Sequence, residues 1–266
     1  MPTNTVHHKY LARIANALKA SADAVKQFVP GTFSVKDNGG RDVVTQVDRK
    51  VSDLLRNVLL EQGEGWLSEE DVDDLSRLSK SAVWVVDPLD GTREFVDGIP
   101  EWCISIGLVV DGIPIAGGVC NPATDELFLG GLGWGMTYNG QPAKPGLRTD
   151  LDGAVVLASR QEYKRGEWAQ FEGKEFSIRQ TGSVAYKLAL VAAGLADATW
   201  TLSPKHEWDV AAGVALMKSA GGRVACIRHG KLHFNQNQTL LPGLVASSAG
   251  IWKHVVRTVD EVLISG

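Results

Sequence analysis

Between His8 and Val29 the apolar side chains fall at Leu11, Ile14, Leu18, Ala22 and Val25, steps of three or four that gather on one helical face, and Pro30-Gly31 stops the pattern. The same spacing returns from Thr45 to Glu61 at Val47, Val51, Leu54, Leu55, Val58 and Leu59, with Thr45-x-x-Asp48 placed as a capping box at the head of a second helix. A polar, acidic stretch from Ser68 to Ser81 follows. Ala82 to Val86 is a continuous apolar run broken at Asp87-Pro88, which predicts a buried strand ending in a turn. From Cys103 to Tyr138, β-branched and aromatic residues are punctuated by Asp111-Gly112 and Asn121-Pro122, with Asn139-Gly140 closing the series, so an antiparallel meander is expected.

Beyond a polar connector from Pro145 to Asp152 the pattern changes to alternation. Strands are expected at 154–158, 175–179, 196–202, 223–227 and 243–246, and helices at 162–171, 184–193, 209–220 and 250–263. The chain therefore reads as an α/β protein in two domains, an α+β half at 1–148 and an α/β half at 149–266.

Charge and composition remove several classes. The 266 residues carry 27 Lys and Arg against 31 Asp and Glu, a net charge of −4 with no cationic run, so neither nucleic acid nor an anionic membrane is an expected partner. Cys103, Cys120 and Cys226 are too few and too dispersed for a disulfide framework or a zinc site. The N-terminal residues lack the apolar segment of a signal peptide and Asp111 interrupts the most apolar run, so a cytoplasmic protein without a membrane span is expected. Neither GxxxxGK[ST] nor GxSxG occurs, His206-Glu207 is not continued to HExxH because Val210 follows, and the glycines of 130–135 lie between strand patterns. The scattered histidines read as structural or surface residues.

The chemistry concentrates where the apolar run ends. Asp87 and Asp90 stand three apart around Pro88 and before Gly91, so both carboxylates can face one crevice. A hard dication such as Mg²⁺ takes oxygen ligands from a few such groups, although aspartates at this position also serve as plain turn residues. Other acids raise the same question. Glu69, Glu70 and Asp71 fit a solvated loop, Asp209 an acid at a helix N-terminus, and Asp48 the partner of Thr45, yet each could equally turn towards a metal. Thr92 follows Gly91 where a short helix over 93–96 begins, and free N–H groups at such an end suit a phosphate. Dications beside a phosphate cradle point to metal-assisted phosphoryl hydrolysis.

Two long motifs carry a resemblance: Trp84-Val85-Val86-Asp87-Pro88-Leu89-Asp90-Gly91-Thr92, and Trp208-Asp209-Val210-Ala211-Ala212-Gly213 running to Ala220-Gly221-Gly222. With Asp42 to Asp48, Ser68-Glu69-Glu70, Gly133 to Gly140 and Gly182-Ser183 in order between and around them, the chain resembles the inositol monophosphatase superfamily of Mg²⁺-dependent, lithium-sensitive phosphomonoesterases. The haloacid dehalogenase phosphatases, with Asp-x-Asp-Gly-Thr, space their aspartates differently. The resemblance implies a layered αβαβα sandwich with the active site between its halves. It implies one Mg²⁺ held by Glu69, Asp87 and the Leu89 carbonyl, and a second by Asp87, Asp90 and Asp209. Thr92 and Asp48 would orient and deprotonate the attacking water, Glu70 would stand near a third ion, and the Gly91 and Thr92 amides, with Gly182 and Ser183, would meet the small phosphate substrate. Relatives imply a homodimer, but no stripe in this sequence marks its interface.

Within the superfamily, Asp90 to Phe95 (Asp-Gly-Thr-Arg-Glu-Phe), Leu67 to Asp71 and Glu101-Trp102 look most like the 3′(2′),5′-bisphosphate nucleotidases, which act on 3′-phosphoadenosine 5′-phosphate. Inositol-specific members have Asn-Phe after Asp-Gly-Thr and a carboxylate seven residues before the Trp-Asp aspartate, where this chain has Leu202. Ser105-Ile106-Gly107 and Asp209 to Gly213 are equally at home among inositol phosphatases, and Gly182 to Lys187 departs from the nucleotidase form. An inositol-1-phosphatase, or one for another sugar phosphate or histidinol phosphate, is the alternative. A binding-only relative would have lost part of the carboxylate set, which here is complete.

Overall fold

A computed structural model describes residues 4–28, 30, 38–227 and 230–265; Val29, Gly31 and His229 of the segments discussed above lie outside these. Five layers stack in the order helices, sheet, helices, sheet, helix. The first holds α1 (Asn4–Val25) and α2 (Asn38–Leu59). The second is a sheet of seven strands in sequence order: β1 (Gly65–Ser68), β2 (Ala82–Asp90), β3 (Cys103–Val110), β4 (Ile113–Asn121), β5 (Glu126–Gly131), β6 (Gly135–Tyr138) and β7 (Gln141–Ala143). Only β1 and β2 pair in parallel; the rest is the expected meander, extended by a last hairpin over Asn139-Gly140, both at positive φ as that tight turn requires.

The middle layer is α5 (Val184–Ala192) and α6 (Glu207–Ser219). The fourth is a five-stranded sheet built from β8 (Val155–Ser159), β9 (Ser177–Thr181), β10 (Ala198–Thr201), β12 (Arg223–Cys226) and β14 (Leu244–Ser247), in the order β12-β14-β10-β8-β9. A two-residue pair, β11 (Lys205–His206) with β13 (Leu240–Leu241), leads into α6. The outer layer is α7 (Trp252–Ser265), beside the short α4 (Arg160–Lys164). Together these are the αβαβα sandwich that the resemblance implied. No helix among the described residues is long and apolar enough to cross a membrane.

Burial follows from the layering. β2 has a helical layer on either face, so every residue from Val83 to Leu89 is buried, which explains an unbroken apolar run where an open sheet would alternate. α5 lies between two sheets and is buried from Ala185 to Ala192. One apolar cluster joins strands of both sheets through α5 and α6, among them Val85, Phe128, Leu157, Leu188, Val214 and Ala246.

Three expectations need correction. Helix α2 begins at Asn38, so Thr45 and Asp48 lie within it and not at its head; the apolar periodicity that marks it in the sequence starts only at Val47. Strand β2 does not stop at Val86. It continues to Asp90 through a break in register between Asp87, opposite Ser105, and Asp90, opposite Cys103, because Pro88 has no N–H for the ladder. The helix expected over 162–171 is α4 and a separate 3-10 turn at Ala169–Phe171, interrupted at Gly166 with φ +79°.

The middle layer sits unusually close to the first sheet. Gly107 and Gly117 are register partners on β3 and β4, and a Cβ at Gly117 would lie 2.5 Å from the Ala212 carbonyl oxygen of α6, one at Gly107 2.8 Å from the Ala211 Cβ. Backbone cannot yield as a flexible side chain can. Gly117→Ala is therefore expected to cost roughly 1–3 kcal/mol in urea unfolding. Gly131→Ala, whose methyl would meet Leu11 at 3.5 Å, serves as the near-neutral control.

Candidate active site

The close approach of α6 brings the N-terminal turn of that helix beside the broken end of β2. Asp209 lies in that turn, Asp87 and Asp90 flank the break, Glu69 and Glu70 follow β1 directly, and Asp48 lies on the buried face of α2. Four separate segments thus converge on one carboxylate cluster. Its cohesion is visible in the protonation equilibria. Burial, then the charges of Glu70 and Glu69, push the Asp48 carboxyl up to about 8. Burial, Asp90 and Glu70 bring Glu69 to about 7, and burial with Asp90 brings Asp209 to about 7. Asp87, wholly buried and facing Asp90, Glu69 and Asp209, lies well above the usual range. Burial raises Glu70 as well.

Asp90 is raised by burial but partly relieved. Its Oδ2 accepts the Ser183 hydroxyl at 2.6 Å and the Ala185 N–H at 2.7 Å, and Lys187 supplies a positive charge. One oxygen of Asp87 accepts the Leu89 N–H at 3.0 Å and one of Asp209 the His206 N–H at 2.8 Å. The aspartates are therefore oriented by the chain before any ligand arrives. Buried anions of one sign either take up protons or bind a cation, and an all-oxygen donor set suits a hard dication. Among the described residues no three such groups already close into a cage.

The residues expected at the phosphate adjoin this cluster. Gly91 is the left-handed cap of α3 (Thr92–Val96), with φ +95°, and Thr92 Oγ1 donates to the Leu89 carbonyl at 3.1 Å. Gly91 and Thr92 share with Asp90, Gly182 and Ser183 the lining of a cavity of about 250 Å³, to which Arg93, Gln161 and Lys187 also contribute. The Ser183 hydroxyl, expected at the substrate, is engaged by Asp90 and also accepts the Tyr186 N–H at 3.0 Å as the cap of α5.

Some of the machinery escapes a reading of the sequence. Lys187 is 2% exposed and lies within electrostatic reach of Asp90, Glu94 and Glu162; its one signal was a charged residue inside the otherwise apolar α5. The ion pair between Arg160 Nη2 and Glu101 Oε2, at 2.5 Å, joins residues 59 apart and has no local signal at all.

Residues 7–261 match the profile of the inositol monophosphatase family. The chain belongs to that family. Inositol monophosphatase 3 of Solanum lycopersicum is 33% identical over 84% of this chain and 88% of its own. The inositol monophosphatase of Anabaena (Nostoc) sp. PCC 7120 superposes with a TM-score of 0.78 at 25% identity, covering 97% of each chain. CysQ of Bacteroides thetaiotaomicron, described as a bacterial member of the same family, gives 0.75 at 25% identity over 90% of this chain and 96% of that one. The protein is thus an inositol monophosphatase family phosphatase, acting on a small phosphate substrate.

A family phosphatase with this cluster should show an inverted pH dependence when metal-free. Asp48, Glu69 and Asp209 hold protons at about 8, 7 and 7 in the fold, against 3.8, 4.5 and 3.8 for the unfolded chain. Their stabilising contribution is complete below the unfolded values and lost as pH rises through the folded ones. In EDTA the urea midpoint is expected to fall from about pH 5.5 to about pH 8.5, and saturating Mg²⁺ to remove most of that fall. Asp87→Asn should flatten the metal-free profile and abolish stabilisation by Mg²⁺; a wild-type midpoint indifferent to pH would contradict this.

Proposed function

We propose that the protein is a Mg²⁺-dependent phosphomonoesterase that transfers a phosphoryl group to water without a covalent intermediate, and that its substrate is the 3′-phosphate of 3′-phosphoadenosine 5′-phosphate. The observation that carries the first part is the convergence of Glu69, Asp87, Asp90 and Asp209, whose carboxyls are driven towards protonation by desolvation and by one another's charge. Glu69, Asp87 and the Leu89 carbonyl would hold one ion and Asp87, Asp90 and Asp209 a second, with Glu70 placed for a third. Bound there, Mg²⁺ supplies charge neutralisation for the phosphoryl oxygens and the leaving oxygen, and lowers the pKa of water.

The remaining work falls to the chain. Thr92, fixed through its bond to the Leu89 carbonyl, orients the attacking water, and Asp48 takes its proton as general base. The Gly91 and Thr92 amides hold phosphate oxygens, while Gly182 and Ser183 shape the wall beside them.

Two features support a bisphosphorylated substrate. Leu202 leaves a polyol without the carboxylate that would accept its hydroxyl bonds, and an unpaired buried hydroxyl costs roughly 1–3 kcal/mol. Arg93 and Lys187, in the wall of the cavity that Asp90 and Thr92 also line, offer positive charge for a second phosphate. The name of a Rhizobium meliloti relative, inositol-1-monophosphatase, favours inositol 1-phosphate as the second reading.

Phosphate release with Mg²⁺ and with EDTA, measured side by side on 3′-phosphoadenosine 5′-phosphate, inositol 1-phosphate, fructose 1,6-bisphosphate and histidinol phosphate, decides between them. The bisphosphonucleotide is expected to lead in kcat/KM by about tenfold or more, some 1.4 kcal/mol of differential transition-state binding. A lead for inositol 1-phosphate would reject the substrate assignment and leave the hydrolase intact. Asp90→Asn and Asp209→Asn should each lower kcat by roughly a thousandfold, about 4 kcal/mol, and retention of more than a tenth of the rate at saturating Mg²⁺ would reject the metal assignment.

A further inference from the structure

Glu101 lies between α3 and β3, outside the carboxylate cluster, yet it touches both segments that frame the cavity. A Cβ at Gly91 would come within 3.0 Å of the Glu101 carbonyl oxygen and the Trp102 Cα. A Cβ at Gly182 would come within 2.5 Å of the same Glu101 oxygen and of Glu94 Cγ. The backbone at Glu101 is thus pressed between the phosphate loop and the β9–α5 turn, and neither glycine can carry a side chain.

The Glu101 side chain fastens the same junction. Its Oε2 accepts the Gly182 N–H at 2.9 Å and Arg160 Nη2 at 2.5 Å. Arg160 opens α4 in the other half of the molecule, donates as well to the Gln180 carbonyl at 3.3 Å, and brings Nε to 4.0 Å from Glu94 Oε1. One residue beyond Gly182, Ser183 adopts φ +52°, a left-handed backbone that a serine takes only when its surroundings impose it. In that conformation its hydroxyl and the Ala185 N–H both reach Asp90 Oδ2.

We propose that the Glu101–Arg160 ion pair is a positioning device for the metal site: it holds the Gly182-Ser183 turn in its left-handed conformation, and the turn aims Asp90. The inference rests on the metal-dependent reading above. It singles out one ion. Of the two sites assigned there, only the one that includes Asp90 is coupled to the pair; the one held by Glu69, Asp87 and the Leu89 carbonyl is not.

The test is Mn²⁺ titration by calorimetry on the full chain, wild type against Glu101→Ala, Glu101→Gln and Arg160→Lys, with thermal unfolding of each. Glu101→Gln keeps an acceptor for the Gly182 N–H and removes the charge facing Arg160. In Glu101→Ala one binding event is expected to weaken about tenfold or more while the other stays unchanged, with a smaller loss in Glu101→Gln and Arg160→Lys. The Mg²⁺ concentration for half-maximal activity should rise in parallel, with the substrate KM at saturating Mg²⁺ within about twofold of wild type. Two unchanged Mn²⁺ events in Glu101→Ala, or equal weakening of both with a lowered melting temperature, would overturn the positioning role and leave the metal site standing. A wild-type protein that binds no Mn²⁺ would overturn the metal reading and this inference together.

Discussion

Six carboxylates drawn from four segments converge on one crevice in which Asp48 and Asp87 are buried, and their mutual repulsion is the constraint that the rest of the molecule accommodates. Among the described residues the countercharge is sparse: Lys187 acts on Asp90, Arg49 on Glu70 and Lys205 on Asp209. Without a cation the cluster can persist only by holding protons at a pH where carboxylates are normally ionised. On the proposed function, the site is a place where the fold gives up stability that a bound dication would restore while supplying a group that can act on phosphate.

Close packing is what keeps the anions together. Helix α6 reaches the first sheet through the notch at Gly107 and Gly117, and this sets the height of Asp209 above the end of β2. The register break at Pro88 changes how Asp87 and Asp90 pair with β3, so that a strand buried on both faces ends in two acids instead of continuing into the core. α5, between the sheets, delivers the Asp90-binding hydroxyl of Ser183 and the ammonium of Lys187. Each component has its own local reason, but the cluster exists only when all five layers are in place.

Much of this was legible in the sequence, and the exceptions share a cause. Helical and strand periodicity located α1, α5, α6, α7 and the meander because each buries a repeating face. β1 was not foreseen: Gly65–Ser68 has no alternation of its own and is a strand because it pairs with β2. The first turns of α2 were missed because Gly39-Gly40 and polar neighbours carry no periodicity. Asp87, Asp90 and Thr92 stood out as candidates because two acids and a hydroxyl fall within six residues around Pro88 and Gly91. The role of Ser183 in holding Asp90 was hidden, since it depends on contacts between residues 93 apart in sequence.

The central proposal is that this cluster of acids exchanges protons for a dication. It is tested most directly by the proton balance of metal binding: Mg²⁺ added to metal-free protein in weakly buffered solution near pH 7, with K⁺ at equal ionic strength as the control. Release of more than about one proton per molecule, saturating with Mg²⁺ and absent in Asp87→Asn, is the predicted result. Saturable Mg²⁺ binding with no proton release would contradict it.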